Sequence, residues 1–282
     1  MLPFIRTRKF GVKVLANISS KYKFLDRSAL LFRTNDTTLA QDILNEIGSG
    51  HNLYLAEIEE KYIQLFRELK QKPLIEFSTY CPRMVIPEDD ILRKVSKKQR
   101  NSLKQRLRKN SDKLSFTMYR DDLENHLRTM IKIENESHKR NKKISIFSRR
   151  DIRNLYRSII QNAPEMVGIA FLYYDGAPIA HRFGYFCHDV FLSVHIAFDN
   201  AFRHLGPGKM LLYYCLEYFQ DNNVRLLDFS VGDNDLKRQF ADGRVTQYNV
   251  YYSRSGLVMK WWSLLLKTKK KAKHIRNIIQ TR

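Results

Sequence analysis

Arg203-His204-Leu205-Gly206-Pro207-Gly208, followed by Lys209, sets two glycines and two cations at the start of an apolar helical stretch. The pattern R-x-x-G-x-G suits a pyrophosphate. Glycines let the backbone approach an anion closely, and the free N–H groups and positive dipole end of a helix's first turn attract it. Two further side chains are of the kind that move protons: Asp228 ends the apolar run RLLDF, and His195 lies within VFLSVHIAF. A buried carboxylate has a raised pKa and becomes a base near neutrality. Tyr248, Tyr251 and Tyr252 lie in TQYNVYY, where strand alternation puts 248 and 252 on one face and 251 on the other; one hydroxyl could return a proton. Each has a plain structural alternative. The turn could simply start a helix, Asp228 could accept backbone N–H groups, His195 could be satisfied within a sheet, and the tyrosines could be packing.

The elements that must hold these residues follow from hydrophobic period. VGIAFLYY (167–174), IAHRFGYF (179–186) and VFLSVHIAF (190–198) are β-branched and aromatic, joined by Asp175-Gly176 and His188-Asp189, and predict an antiparallel meander. PGKMLLYYCLEYFQ (207–220) opens with proline and is apolar on nearly all sides, as a helix buried on a sheet would be. Strands at 225–229 and 246–252 complete the sheet. Upstream, helices are expected at 91–110 (apolar stripe Leu92, Val95, Leu103, Leu107), about 121–136 and about 150–160. The first 88 residues alternate helix and strand: a helix opening at Asp36, a strand at Leu53–Leu55, a helix around Ile63–Leu69 and a strand at Leu74–Phe77. The proline-bearing stretch from Cys81 to Pro87 marks a boundary. The expected domains are therefore 1–88, 89–257 and a basic tail, 258–282.

The formal net charge of +21 is unevenly distributed. Residues 1–33 carry eight Lys/Arg against one acid, 93–113 ten against one, and 258–282 eight against none, whereas 164–257 carry eight against ten acids. The half with the glycine turn is thus not itself a polyanion binder. The three cysteines, Cys81, Cys187 and Cys215, lack zinc spacing and read as reduced core residues of a cytoplasmic protein. No apolar run spans a bilayer, and no secretory leader is evident.

From about Leu92 to Ser253 the chain resembles the GNAT-like domain called CelD-like, associated with cellulose biosynthesis and akin to the FemAB aminoacyltransferases. The resemblance rests on KKQRNSLKQRLRK, DGAPIAHRFGY, AFDNAFRHLGPGKMLL and LLDFSVGDNDLKRQFA. It implies an α/β fold with a mixed, mostly antiparallel sheet flanked by helices, and a partial GNAT-like half in the first 88 residues. It also implies an N-acyltransferase using acetyl-CoA or another acyl-CoA, without a metal, on an amine: a small molecule or cell-envelope sugar or polysaccharide precursor. Arg203, Gly206, Gly208 and Lys209 would hold the cofactor, and the strand 191–198 would splay from 225–229 to admit the pantetheine arm. Direct transfer then needs a base (Asp228, with His195 as alternative), an acid for the thiolate (Tyr248 or a neighbour) and a backbone N–H for the thioester oxygen. Asp199, His138 and Lys237 match family positions. The chain departs from the pattern at Leu236, where tyrosine is usual, and at Gly206, where serine is commoner.

The tail KWWSLLLKTKKKAKHIRNIIQTR joins tryptophans and leucines to cations, which suits peripheral contact with an anionic membrane at its inner face. The bland alternative is a docked helix with solubilising lysines. Nucleic acid is the second partner class, through RNA binding or an aminoacyl-tRNA donor. The basic segments lack the regular aromatic interleaving of base-stacking surfaces. A non-catalytic protein that keeps the fold is the third reading.

Overall fold

A computed structural model describes residues 4–17, 20, 46–67, 71–141, 144–232 and 234–280. The chain forms two compact units, residues 1–81 with 245–282, and residues 82–244. In chain order the elements are β1 (Phe4–Lys9), β2 (Val12–Asn17), β3 (Leu53–Glu59), α1 (Ile63–Arg67), β4 (Leu74–Val85), α2 (Lys97–Lys109), β5 (Leu114–Tyr119), α3 (Leu123–Glu136), α4 (His138–Asn141), α5 (Arg150–Asn162), β6 (Val167–Tyr174), β7 (Ala177–Cys187), β8 (Val190–Phe198), α6 (Pro207–Asp221), β9 (Leu226–Asp228), α7 (Asp235–Phe240), β10 (Gly243–Tyr252) and α8 (Gly256–Gln280). This is the expected mixed α/β architecture with a mostly antiparallel sheet. The helix expected to open at Asp36 lies outside the described residues except at 46–50, which are helical.

In the first unit β1 and β2 form a hairpin through Phe10-Gly11, both with positive φ, the backbone a two-residue hairpin turn requires. β2 runs parallel to β3, and β3 pairs antiparallel with β10. One face buries Leu53, Leu55, Ile58, Phe66 and Tyr252. The other packs Val14, Ala16, Tyr54 and Tyr251 under Trp262 and Leu266 of α8, so the basic tail begins as a docked helix.

In the second unit β5, β6, β7 and β8 are consecutive antiparallel neighbours, as the meander predicts; β8 then pairs parallel with β9, and β9 antiparallel with β4. The division between the units falls between Cys81 and Pro82, within the stretch that the prolines mark, although β4 runs through it. Pro82 needs only its carbonyl there, which accepts Phe229 N–H. α6 lies on one face of the sheet, burying Met210, Leu211, Leu212, Cys215, Leu216 and Phe219 against Phe191, Ala170 and Leu172. Leu92, Val95 and Leu103 of the predicted stripe join this core. α3 and α5 cover the opposite face, where Phe147 packs on Tyr156 and Tyr156 on Phe183. Of the cysteines expected in the core, Cys81 and Cys215 are buried but Cys187 is exposed, because it falls at the end of β7 beyond the reach of α6.

β8 carries one irregularity that matters. Phe183 stands opposite His195 and Gly184 opposite Ser193, so Val194 is an extra residue, a β-bulge. Before the bulge, Phe191 packs on Phe219 of α6, and Ser193 accepts a hydrogen bond from buried Arg182 at 2.7 Å. After it the alternation is inverted, and His195 faces Phe147 and Tyr156 under α3 and α5.

Candidate active site

The glycine turn has the backbone its residues predict. Asp199 Oδ1 accepts Ala201 N–H at 2.9 Å and starts a 3₁₀ turn from Asn200 to Leu205. Gly206 then adopts φ 77°, which glycine tolerates without strain, and Pro207 opens α6 with its fixed φ and no N–H to leave unpaired. A Cβ on Gly206 would also come within 2.6 Å of Arg106 Nη1. That guanidinium donates to Leu205 O at 3.3 Å, tying α2 to the turn.

Between α2 and the turn lies a cavity of about 510 Å³. Gly206, Gly208 and Lys209 line it, together with Lys98, Ser102 and Arg106 of α2, Phe198 at the end of β8, and Leu236. Its wall contains three cations and no carboxylate. Gly208 leaves it open, since a Cβ there would first meet Phe198 at 3.9 Å. Arg203, predicted to share this anion, is exposed on the preceding turn and is not part of the wall. The sequence reading missed Lys98 and Arg106. Their signal was the dense basic face of α2, whose direction is fixed by the packing of Leu103 in the core and by Arg106 on Leu205 O.

Next to this cavity β8 and β9 part. Their parallel register runs Val190 to Leu226, Phe191 to Leu227 and Leu192 to Asp228, and stops there. Phe229 N–H continues the ladder to β4 at Pro82 O, while the β8 edge beyond Ser193 has no β9 residue as its neighbour. Asp228 sits where the strands diverge and is buried; its Oδ2 accepts Arg83 Nε at 2.7 Å and its Oδ1 accepts Ser230 N–H at 2.8 Å. Lys237 reaches back from α7 to donate to the carbonyls of Ser230 and Val231, pinning the same loop. Asp233, in the same loop, lies outside the described residues.

His195 belongs to a buried polar array on the other face of β8. Its Nε2 is 2.6 Å from Glu134 Oε2 and 3.0 Å from Lys139 Nζ, and its Nδ1 is 3.0 Å from His181 Nε2. Glu134 Oε1 also accepts Ser145 Oγ and Phe147 N–H, while Lys139 donates to Ile196 O at 2.7 Å. Burial alone would raise the Glu134 carboxyl, but hydrogen bonds and charge from His195, with Ser145 and Lys139 beside it, hold it down at about 2. Burial, and then the Lys139 charge, push His195 below the ordinary imidazole range against the pull of Glu134. Burial likewise lowers Lys139. His181 is pushed far down by burial and by the charges of His195, Lys139 and Arg182. His195 Nε2 thus meets both the Glu134 carboxylate and the Lys139 amine, and its Nδ1 meets His181 Nε2, with donor and acceptor set by the ring tautomers. Both nitrogens of His195 are thus engaged within the protein. Tyr248 lies in the first unit, where its hydroxyl donates to Glu60 at 3.2 Å.

Glu134, Lys139 and His181 were not singled out from sequence. Glu134 did leave a trace: it continues the buried stripe of Leu127, Met130 and Ile133 along α3, where an acid is out of place unless paired. Its depressed pKa sets a pH dependence. Stabilisation by the ionised form is complete above the unfolded value of 4.5 and is lost as pH falls toward about 2. Glu134→Gln should cost about 2 kcal/mol at pH 7, the scale of a hydrogen bond to a buried charge. In thermal melts the gap to wild type should narrow as pH falls below 4.5. A gap that stays constant across this range would show that the carboxylate charge is not what holds the array.

Residues 97–238, just over half of the chain, match the family described as an acetyltransferase (GNAT) domain. No curated protein matches the sequence significantly. Among solved structures the fold is similar to L-PGS from Bacillus licheniformis (TM-score 0.60, 10% identity, covering 91% of this chain and 82% of that one). It is similar to FemX (0.59, 12%, 92% and 85%) and to a conserved protein of unknown function from Bacteroides thetaiotaomicron (0.57, 12%, 77% and 75%). A cationic cavity at a glycine turn, set beside two parting parallel strands and carried on a sheet shared with these structures, agrees with the family match: the chain belongs to the GNAT acetyltransferase-domain family.

Proposed function

We propose that the protein is an N-acyltransferase that moves an acyl group, acetyl in the simplest case, from acyl-CoA to an amine. The observation that carries this reading is the acid-free cavity at the start of α6, where Lys98, Arg106 and Lys209 would meet the donor's pyrophosphate. From there the pantetheine arm would run along the β8 edge left open by β9, bringing the thioester toward the point of divergence at Asp228. The amine nitrogen attacks the thioester carbon, the C–S bond breaks, and the thiolate takes up a proton. Asp228 is the group best placed to hold the incoming ammonium and accept its proton, sharing its carboxylate with Arg83. His195, with both ring nitrogens engaged, serves as a positioning residue that fixes β8 through Glu134. A CelD-like role on a cell-envelope sugar or polysaccharide precursor is the acceptor class we favour, by family analogy alone.

One observation favours a second donor. α2 carries Lys97, Lys98, Arg100, Lys104, Arg106, Lys109 and Arg108 in 13 residues and borders the same cavity, which would also suit the phosphates of an aminoacyl-tRNA. Incubation with acetyl-CoA and a panel of amines, following free thiol, separates the two. Amine-dependent thiol release that falls at least a hundredfold in Asp228→Asn supports the acyl-CoA reading. No release with any amine, alongside transfer from aminoacyl-tRNA, would replace it.

No helix among the described residues is long and apolar enough to cross a membrane. α8 nonetheless exposes Leu257 (80%), Trp261 (47%) and Leu264 (55%) at spacings of four and three residues, a single helical stripe, with Lys260 and Lys267 nearby in sequence. We take this stripe as a peripheral contact for an anionic bilayer, each lysine contributing about 1 kcal/mol. The protein should cosediment with vesicles containing phosphatidylglycerol and much less with neutral ones. Trp261→Ala with Leu264→Ala should lower that binding at least tenfold; unchanged sedimentation would contradict the assignment.

A further inference from the structure

The first unit contains a cavity of about 790 Å³, outside the donor site, whose wall includes Arg6, Arg8, Lys13, His51 and Arg254 and no carboxylate. We infer that it is a second anion site, taking a small molecule that carries two linked phosphates.

The first argument is the β1–β2 register. Arg8 stands directly opposite Lys13, and Arg6, two residues along, shares their face. Like charges directly opposite in an antiparallel pair are destabilising. Neighbouring cations find relief elsewhere: Lys9, on the other face, lies 3.8 Å from the Tyr54 ring centroid. Arg6, Arg8 and Lys13 have no side-chain hydrogen-bond or ion-pair partner among the described residues. A hairpin that concentrates three such cations spends stability on repulsion unless an anion sits among them.

The helical segment ending at Gly50 also borders the cavity, and its C-terminal dipole favours positive charge. That end is equivalent to roughly half a negative charge, so it offsets only a fraction of three or more cations. The walls, moreover, are braced. Ser253 Oγ donates to Asn52 Oδ1 at 2.6 Å, Asn52 Nδ2 donates to Lys13 O at 3.0 Å, and Leu15 N–H donates to Asn52 O at 2.8 Å. The strand bearing Lys13 is therefore held in place before any ligand arrives.

The ligand class follows from size and spacing. The volume falls within the range of small-molecule pockets, roughly 300–1,000 Å³. Arg6 and Arg8 are about 7 Å apart along one face, so two guanidinium forks can each take one of two linked phosphates while Lys13 supplies a point charge.

Inorganic pyrophosphate is the direct probe, titrated by calorimetry at fixed ionic strength beside orthophosphate, with Gly208→Trp and, separately, Lys98→Gln with Arg106→Gln to remove the donor site. In each background pyrophosphate should bind at least tenfold more tightly than orthophosphate, and Arg6→Gln with Arg8→Gln should weaken it at least tenfold. The same pair of substitutions should leave the ligand-free melting temperature unchanged or higher, because repulsion is relieved. Pyrophosphate binding that survives loss of both arginines, disappears with the donor-site substitutions, or never exceeds that of orthophosphate would overturn the site. Binding of a bulk RNA without any binding of pyrophosphate would also overturn it, in favour of a polymer-binding surface.

Discussion

The separation of β8 from β9 after three parallel residue pairs is the constraint on which the second unit's chemistry depends. A parallel pair that continued would satisfy the β8 edge and close the sheet. Here the chain past Asp228 keeps only its β4 neighbour, with Phe229 N–H on Pro82 O, Asp228 is locked by Arg83 and Ser230, and Lys237 holds the loop that carries the chain away. The open edge is thus maintained by an ion pair between buried Asp228 and half-buried Arg83 with its hydrogen bonds, in which loss of one partner alone is costly. The bulge at Val194 lies at the same level and divides β8 into two halves with opposite facing. One half serves the α6 core and the other the Glu134–His195–His181 array, so the strand is fixed from both faces where it lacks a neighbour in the sheet.

Charge is organised in the same spirit. The cations that matter at the donor cavity come from two segments about a hundred residues apart, Lys98 and Arg106 on α2 and Lys209 on α6, brought together by the packing of Leu103 and by Arg106 on Leu205 O. The β1–β2 cations arise differently, from strand register alone. In neither cavity does a carboxylate line the wall, although the protein has 29 acidic residues to place.

What could be read from sequence was local. The meander, the apolar helix and the glycine turn each announce themselves through period, turn residues or backbone freedom within a few positions, and they occur where expected. The site's polar partnerships are long-range and were not legible. His195 appears in sequence as an ordinary alternating strand residue, and only the bulge beside it sends its ring to α3. Arg203 looked like a ligand because it is adjacent in sequence, yet the 3₁₀ turn leaves it exposed while Arg106, remote in sequence, meets the turn. Pro82 does mark the division between the units, yet β4 runs through it, because a strand can carry a proline where only its carbonyl is called upon.

The central claim is that the Gly206–Lys209 turn binds the phosphates of an acyl-CoA, and calorimetric titration with acetyl-CoA tests it most directly. Wild-type protein should bind in the micromolar range, and Gly208→Trp, which fills the cavity beside Phe198, should abolish binding while the protein retains its cooperative melt. Affinity unchanged by that substitution, or no binding of acetyl-CoA by the wild type together with salt-sensitive binding of RNA, would contradict the account.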